Sequence, residues 1–179
     1  MPITIIATGS RVILREKHLE DSVEDYSWST DPELCRLDAT SPISIGFSEY
    51  LIYYKDKLQY HGSLRNMYAI DTIDGVHIGN CTYYNINEKK KEAELGIMIG
   101  DRRYWNQDYG YESILLLRSH IFTTTNINRL FLHVLDWNIR GYKSFIKSGF
   151  VQYGFSEKGE YRFIVMEFYR DWLKNVDIR

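Results

Sequence analysis

The sequence has no surplus of positive charge: 22 Lys and Arg stand against 24 Asp and Glu, for a net charge of -2. A nucleic-acid binder usually carries a basic excess, so that partner class is not expected. No apolar run is long enough to span a bilayer, and the N-terminus lacks the basic-then-apolar layout of a signal peptide. No membrane partner is therefore expected, and a cytoplasmic location is the default. Only two cysteines occur, Cys35 and Cys81, too few for a disulfide framework or a metal-ligand cluster, so no metal is expected. The glycine patterns G-x-G-x-x-G and G-x-x-x-x-G-K-(S/T) are both missing, which disfavours NAD and ATP. There is no repeat, low-complexity tract or linker, and 179 residues fit one domain spanning residues 1-179.

What is present is the balance of a soluble globular chain, 44% apolar and 26% charged, with many rings: 15 Tyr, 8 Phe and 4 Trp. Aromatic residues of this kind fill cores and half-buried strands, and they also line binding clefts.

Read in order, Ile3 to Ile6 and Arg11 to Arg15 are strand pieces separated by the turn Thr8-Gly9-Ser10. Leu19 to Trp28 has the spacing of a short amphipathic helix, which Asp31-Pro32 stops or restarts. Residues 36-47 lack periodicity and read as a loop. Ser48 is placed to cap a second helix running to about Tyr60. Two strand-like runs, Asn66 to Asp71 and Val76 to Tyr84, meet at the hairpin dipeptide Asp74-Gly75. A third strand, Glu92 to Ile99, completes a meander. A helix to about Thr124, a strand Arg129 to Leu135 and a short helix Arg140 to Ser148 follow, the last ended by Gly149 in a left-handed cap. Val151 to Phe155 and Arg162 to Tyr169 form a closing hairpin. The pattern predicts an α/β (α+β) fold, a mixed and largely antiparallel sheet of about seven strands with helices on both faces.

The chain's central stretch is Tyr104-Trp105-Asn106-Gln107-Asp108-Tyr109-Gly110-Tyr111-Glu112, a polar loop between the strand Glu94 to Ile99 and an apolar helix. Free backbone N–H groups at such a helix start, together with the helix dipole, favour an anion. The stretch implies a site for the pyrophosphate of a nucleotide-bearing cofactor.

Two motifs then carry a family resemblance. The strand Glu94-Leu95-Gly96-Ile97-Met98-Ile99 with its loop is similar to the pattern E-(I/L)-G plus Y-W-G-K-G-Y-(G/A)-T-E. Further on, Asn138 through Lys147-Ser148-Gly149-Phe150 is similar to N-x-x-(A/S)-x-x-x-(Y/L)-E-K-x-G-F. With both in order, the sequence resembles the GNAT superfamily of N-acetyltransferases, closest to the branch of the ribosomal-protein alanine acetyltransferases (RimJ/RimL) and the spermidine acetyltransferases. The resemblance covers roughly Val12 to Tyr169.

It implies acetyl-CoA (coenzyme A) bound between two splayed parallel strands, Glu92–Ile99 and Arg129–Leu135. The pantetheine arm is expected on backbone groups of Met98 and Ile99, and the pyrophosphate on N–H groups of the loop, with Asn106, Gln107, Asp108, Tyr109, Gly110 and Tyr111 as cofactor-binding residues. Asn138 is expected to reach the cofactor from the other side. The implied function is an N-acetyltransferase acting on a primary amine: a protein N-terminus, polyamine, amino sugar or other small amine.

Acetyl transfer needs a neutral amine and benefits from a base. Glu94 is the candidate catalytic base, and a carboxylate in an apolar strand is expected to have a raised pKa. His133 alternates out of phase with Leu132 and Val134, which predicts packing against a helix on the other face rather than catalysis. The family's acid positions are held by Phe145 and Gly141, which carry no proton. Asp108 stands where the branch has Gly, so its carboxylate is expected to face the pyrophosphate and weaken cofactor binding; Arg102 and Arg103 are placed to compensate. Trp28, Asp38, Tyr83 and Tyr84 are expected to bind a cationic amine through carboxylate and cation–π contacts. The alternative reading is a CoA-binding GNAT-fold module with weak or lost turnover. The closing hairpin and its aromatics are compatible with a homodimer.

Overall fold

A computed structural model describes residues 4-59 and 66-175. One eight-stranded sheet in the order β1-β2-β3-β4-β5-β6-β8-β7 forms its frame. The strands are β1 (Ile5–Thr8), β2 (Val12–Glu16), β3 (Met67–Thr72), β4 (His77–Asn87), β5 (Glu92–Ile99), β6 (Arg129–Leu135), β7 (Val151–Lys158) and β8 (Tyr161–Tyr169). Every neighbouring pair is antiparallel except β5 and β6. The expected mixed, largely antiparallel sheet is observed with one strand more than predicted. Tyr60 and Ile3, two predicted element ends, lie outside the described residues.

Among the described residues five α-helices accompany the sheet: α1 (Ser22–Ser29), α2 (Pro32–Leu37), α3 (Phe47–Gln59), α4 (Tyr109–Thr124) and α5 (Ile139–Lys147). The core forms where apolar residues of one strand parity meet α4 and α5. Val12, Leu14, Ile70, Ile78, Leu95, Leu130 and Leu132 pack with Ile114, Leu117, Ile121 and Phe145. Leu117 is fully buried, and truncating such a side chain to Ala costs about 2–5 kcal/mol. The opposite strand parity puts polar groups, Arg15 and Asp71 among them, under α1 and α3, where Tyr54 of α3 donates to Asp25 of α1 at 2.9 Å.

Two local predictions change. The segment 36-47 is not all loop, because α2 extends through Arg36 and Leu37. Capping fixes this short helix, not periodicity: Asp31 accepts from Glu33 N and Leu34 N, and Pro32 sits in the first turn, where its missing N–H costs nothing. Ser48 lies inside α3, which begins one residue earlier, so it is not the cap. The predicted glycine cap holds: Gly149 has φ +88°, and Phe150 N donates to the Phe145 carbonyl at 3.1 Å.

The feature that places the site is the parallel pair. β5 and β6 are in register only at Glu92↔Arg129, Ala93↔Leu130 and Glu94↔Phe131. Arg129 clamps this closed end, bonding Glu92 at 2.7 Å and Glu167 of β8 at 2.8 Å. Beyond Glu94 the strands part, so β5 from Leu95 to Ile99 keeps β4 on one side and has no strand on the other. That is the splayed opening the sequence implied.

Candidate active site

A cavity of about 410 Å³ fills the opening between β5 and β6. This lies within the ordinary range for a small-molecule site. Its walls are the diverging strands, the start of α4, α5 and the end of α2. Met98, Ile99, Asn106, Asp108, Tyr109, Gly110 and Asn138 all line it, as do Asp38 and Tyr84.

At one end the chain builds an anion cradle. Asn106 (φ 59°) and Asp108 (φ 66°) are left-handed, and their alternation with ordinary residues turns backbone N–H groups inward. Asp108 is the N-cap residue of α4 yet makes no side-chain cap bond, so the first-turn N–H groups are not satisfied from that position. Glycine character is thus required at Asp108 rather than at Gly110, whose added Cβ would meet Ile99 at an ordinary 3.7 Å. Glu112, in the same turn, points away from the cavity. It accepts from Ser10 Oγ at 3.0 Å and Arg11 N at 3.2 Å, tying α4 to the β1–β2 turn.

The Asp108 carboxylate is paired within the protein, meeting Lys147 Nζ at 2.6 Å. Lys147, Arg140 and Lys143 of α5 line the cavity and supply its positive charge. Arg102 and Arg103 do not take this role. Arg102 pairs with Asp31 and Glu33, both at 2.8 Å, and Arg103 with Asp101 at 2.6 Å. Gln107 and Tyr111 fall outside the lining. The Gln107 amide folds back onto the Arg103 carbonyl at 2.5 Å, and the Tyr111 ring lies under the Lys147 ammonium. The Ile99 carbonyl is engaged by the Trp105 indole N–H at 2.7 Å. Asn138 caps α5 through its side-chain oxygen, accepting from Gly141 N at 3.1 Å.

At the other end stands Glu94, the last residue of β5 to pair with β6. It is 8% exposed and does not itself line the cavity. Its Oε1 lies 2.7 Å from His133 Nδ1, and its Oε2 accepts from Asn85 Nδ2 at 2.8 Å. A bulge in β4 between Tyr84 and Asn87 turns the Asn85 amide to this position. Burial, the largest influence, pushes the Glu94 carboxyl up, but the bonds from His133 and Asn85 outweigh it and hold the pKa below the ordinary value. The predicted raised carboxyl is therefore overturned: the strand is apolar, yet three neighbouring side chains solvate the charge.

His133 also departs from expectation. It lines the cavity, flanked edge-on by Phe131 and Phe163 with centroids at 6.0 Å. The signal for it was available in the strand pattern, since Phe131 pairs with Glu94 and His133 is the next residue of the same parity on β6.

The expected acceptor residues separate. Tyr84 and Asp38 reach the cavity. Tyr84 is pushed up by burial and by the Glu94 charge, and so stays neutral. Solvent reaches Asp38, but protein surrounds it on most sides and the resulting desolvation raises its carboxyl. Tyr83, one residue out of phase, is buried in the α4 core. Trp28 is buried against Gly100, where an added Cβ would lie 2.2 Å from its ring, and against His77. Neither Tyr83 nor Trp28 belongs to the site.

Comparison with known proteins agrees with this geometry. Residues 11–151 match the family model described as an acetyltransferase (GNAT) domain. An uncharacterized N-acetyltransferase, p20 of Bacillus licheniformis, is 26% identical over 121 residues, 67% of each chain. A crystal structure of spermidine N-acetyltransferase from Vibrio cholerae, in complex with CoA and spermine, superposes with a TM-score of 0.78 at 17% identity, covering 91% of this chain and 98% of that one. RimL, a ribosomal-protein α-N-acetyltransferase, superposes with a TM-score of 0.75 at 14% identity, covering 94% and 96%. The chain belongs to the GNAT acetyltransferase family.

Proposed function

We propose, from that membership, that the chain is an N-acetyltransferase that takes its acetyl group from acetyl-CoA and delivers it to a primary amine. The observation that carries this reading is the unpaired edge of β5 beyond Glu94, which shares one cavity with the anion cradle at the start of α4. The residues present fit the cofactor. An extended amide-bearing arm adds to a free strand edge near Met98 as a peptide would. Backbone N–H groups at Tyr109, Gly110 and Tyr111, with Lys147, suit a diphosphate. Acetyl-CoA would supply the acetyl group as a thioester, already activated for transfer.

The acceptor enters from the side of Asp38 and Tyr84, where an anionic and an aromatic group favour a cationic amine. A protonated amine cannot attack, so a proton must leave it. The Glu94–His133 pair is the acid–base machinery within reach of the cavity. Asn138 approaches the reacting end from α5. No side chain at the family's acid positions can protonate the departing thiolate, because Phe145 and Gly141 line the wall there; water serves instead. The acceptor is expected to resemble those of the RimJ/RimL and spermidine branch, and a homodimer would use the outer strand β7, where Tyr153 and Phe155 are exposed.

Incubation with acetyl-CoA and a panel of peptide N-termini, polyamines and amino sugars, followed by thiol release and mass spectrometry, tests the assignment. Acetylated product from any amine supports it. CoA binding without thiol release across the panel would establish the binding-module reading, which the proton-free Phe145 and Gly141 favour.

A further inference from the structure

The assignment of a general base to Glu94 conflicts with where Glu94 sits. Its carboxylate is almost fully enclosed and does not border the cavity, whereas His133 does. A proton acceptor must come within hydrogen-bond reach of the proton it takes, directly or through one water. Glu94 also has both oxygens engaged, Oε1 by His133 Nδ1 and Oε2 by Asn85. An anion held by two donors, and kept in its charged form by them, is poorly placed to collect a proton. It is well placed to hold a histidine.

We infer that His133 is the catalytic base and that Glu94 is its positioning residue. The carboxylate accepts from Nδ1–H at 2.7 Å, which fixes that tautomer and leaves the lone pair on Nε2. Among the described residues no protein group hydrogen-bonds Nε2. Phe131 and Phe163 hold the ring edge-on from either side, so its plane is set by packing as well as by the carboxylate. In the transfer step the amine nitrogen forms a bond to the acetyl carbonyl carbon and the C–S bond breaks. The thiolate leaves with that electron pair, and the proton of the amine passes to Nε2. The imidazolium so formed faces the Glu94 charge on β5, which stabilises it. The titratable groups that line the cavity with it on neighbouring elements include Tyr84 on β4, kept neutral, Asp38 after α2, and Lys143 on α5; β8 presents Val165 opposite it and Phe163 beside it, with Glu167 further along the same face and paired with Arg129. This inference rests on the acetyltransferase reading but concerns a different atom.

Three measurements on the full-length protein test it. His133→Gln is expected to lower kcat by about 10²-fold or more, the usual worth of a general base, while KM for acetyl-CoA stays within about twofold. Glu94→Gln removes the charge but keeps an acceptor for Nδ1–H, and is expected to cost about tenfold and to keep the acid limb of the pH profile. The contribution of the base to the acid limb of kcat/KM should vanish in His133→Gln only. Independently of turnover, 15N NMR of the unliganded protein should show His133 protonated on Nδ1 with Nε2 bare. Near-normal kcat in His133→Gln beside a 10²-fold loss in Glu94→Gln would overturn the assignment, as would a proton found on Nε2. If the wild type acetylates no amine, the acetyltransferase reading itself fails; a correct tautomer in that case separates the two failures.

Discussion

At the scale of single residues, the most informative is Asp108. It occupies a left-handed position that glycine fills without cost, and its carboxylate is balanced by Lys147 across the mouth of the cavity. Lys147 therefore has two claimants: the carboxylate it touches and any phosphate that enters the cradle. Asp108→Gly should relieve the backbone and release Lys147, tightening CoA binding by about three- to tenfold, the scale of one exposed charge contact. Lys147→Ala should weaken binding by a similar factor, about three- to tenfold. Because the residues are in contact, the effects should not add, and the double variant should bind less tightly than Asp108→Gly alone. Isothermal calorimetry with CoA reads all three constants, and an unchanged constant for Asp108→Gly would refute the competition.

Elements carry a different kind of polar chemistry. Beneath α1 and α3 a closed network balances Arg15, Lys17 and His77 against Asp21, Asp25 and Asp71. Arg15 reaches Asp21 at 2.8 Å and Asp71 at 2.6 Å, Lys17 reaches Asp25 at 2.8 Å, and His77 lies 3.2 Å from Asp71 and 3.3 Å from Asp25. Burial raises each aspartate, but the cationic partners outweigh it and all three are held below the ordinary range. Burial likewise lowers His77, but its bonds to Asp25 and Asp71 win and raise it. The signs follow from linkage. Depressed carboxyls contribute stability that is present above their unfolded pKa of about 3.9 and is lost as pH falls through the folded values. Raised His77 contributes stability that is present below about 6.5 and is lost as pH rises through its folded value. Thermal melts should therefore show a plateau from about pH 4 to 6.5 with a decline on each side, and His77→Gln should flatten the alkaline decline while lowering the melting temperature throughout. A melting temperature independent of pH between about pH 6.5 and 9 would contradict the role given to His77.

The same scale explains what the sequence disclosed. Strands were legible as short apolar runs set off by turn residues such as Thr8-Gly9-Ser10 and Asp74-Gly75, and α4 because Ile114, Leu117 and Ile121 recur at helical spacing. The strand–loop–helix stretch and the Gly149 cap were legible because each depends on contiguous residues. The Glu94–His133 contact joins residues 39 apart, and it forms only because β5 and β6 pair for three residues before parting. Tyr83 and Tyr84 show the same limit from the other direction. Adjacent residues of a strand face opposite ways, so only the register decides which of them reaches the site. Trp28 was misplaced because the partner that buries it, Gly100, is distant in sequence and silent in pattern.

For the whole molecule the decisive property is that the sheet is joined in the middle by little. Strands β1 to β5 and strands β6, β8 and β7 meet through three parallel residue pairs, the Arg129–Glu92 bond and the Glu94–His133 contact. The cradle belongs to α4 on the first half, whereas Arg140, Lys143 and Lys147 belong to α5 on the second. A cofactor that fills the opening must touch both, so its binding energy should act as a cross-link between the halves. At a concentration about 100 times its dissociation constant, a ligand that binds only the folded state adds about 2.7 kcal/mol. For a chain of this size that corresponds to a rise of about 5–11 °C in melting temperature. Hydrogen exchange should slow together at the start of α4 and along α5, two segments on opposite sides of the split. Protection confined to α4 would mean that the loop binds phosphate without closing the site. That outcome would separate simple anion binding from the two-sided grip that acetyl transfer requires.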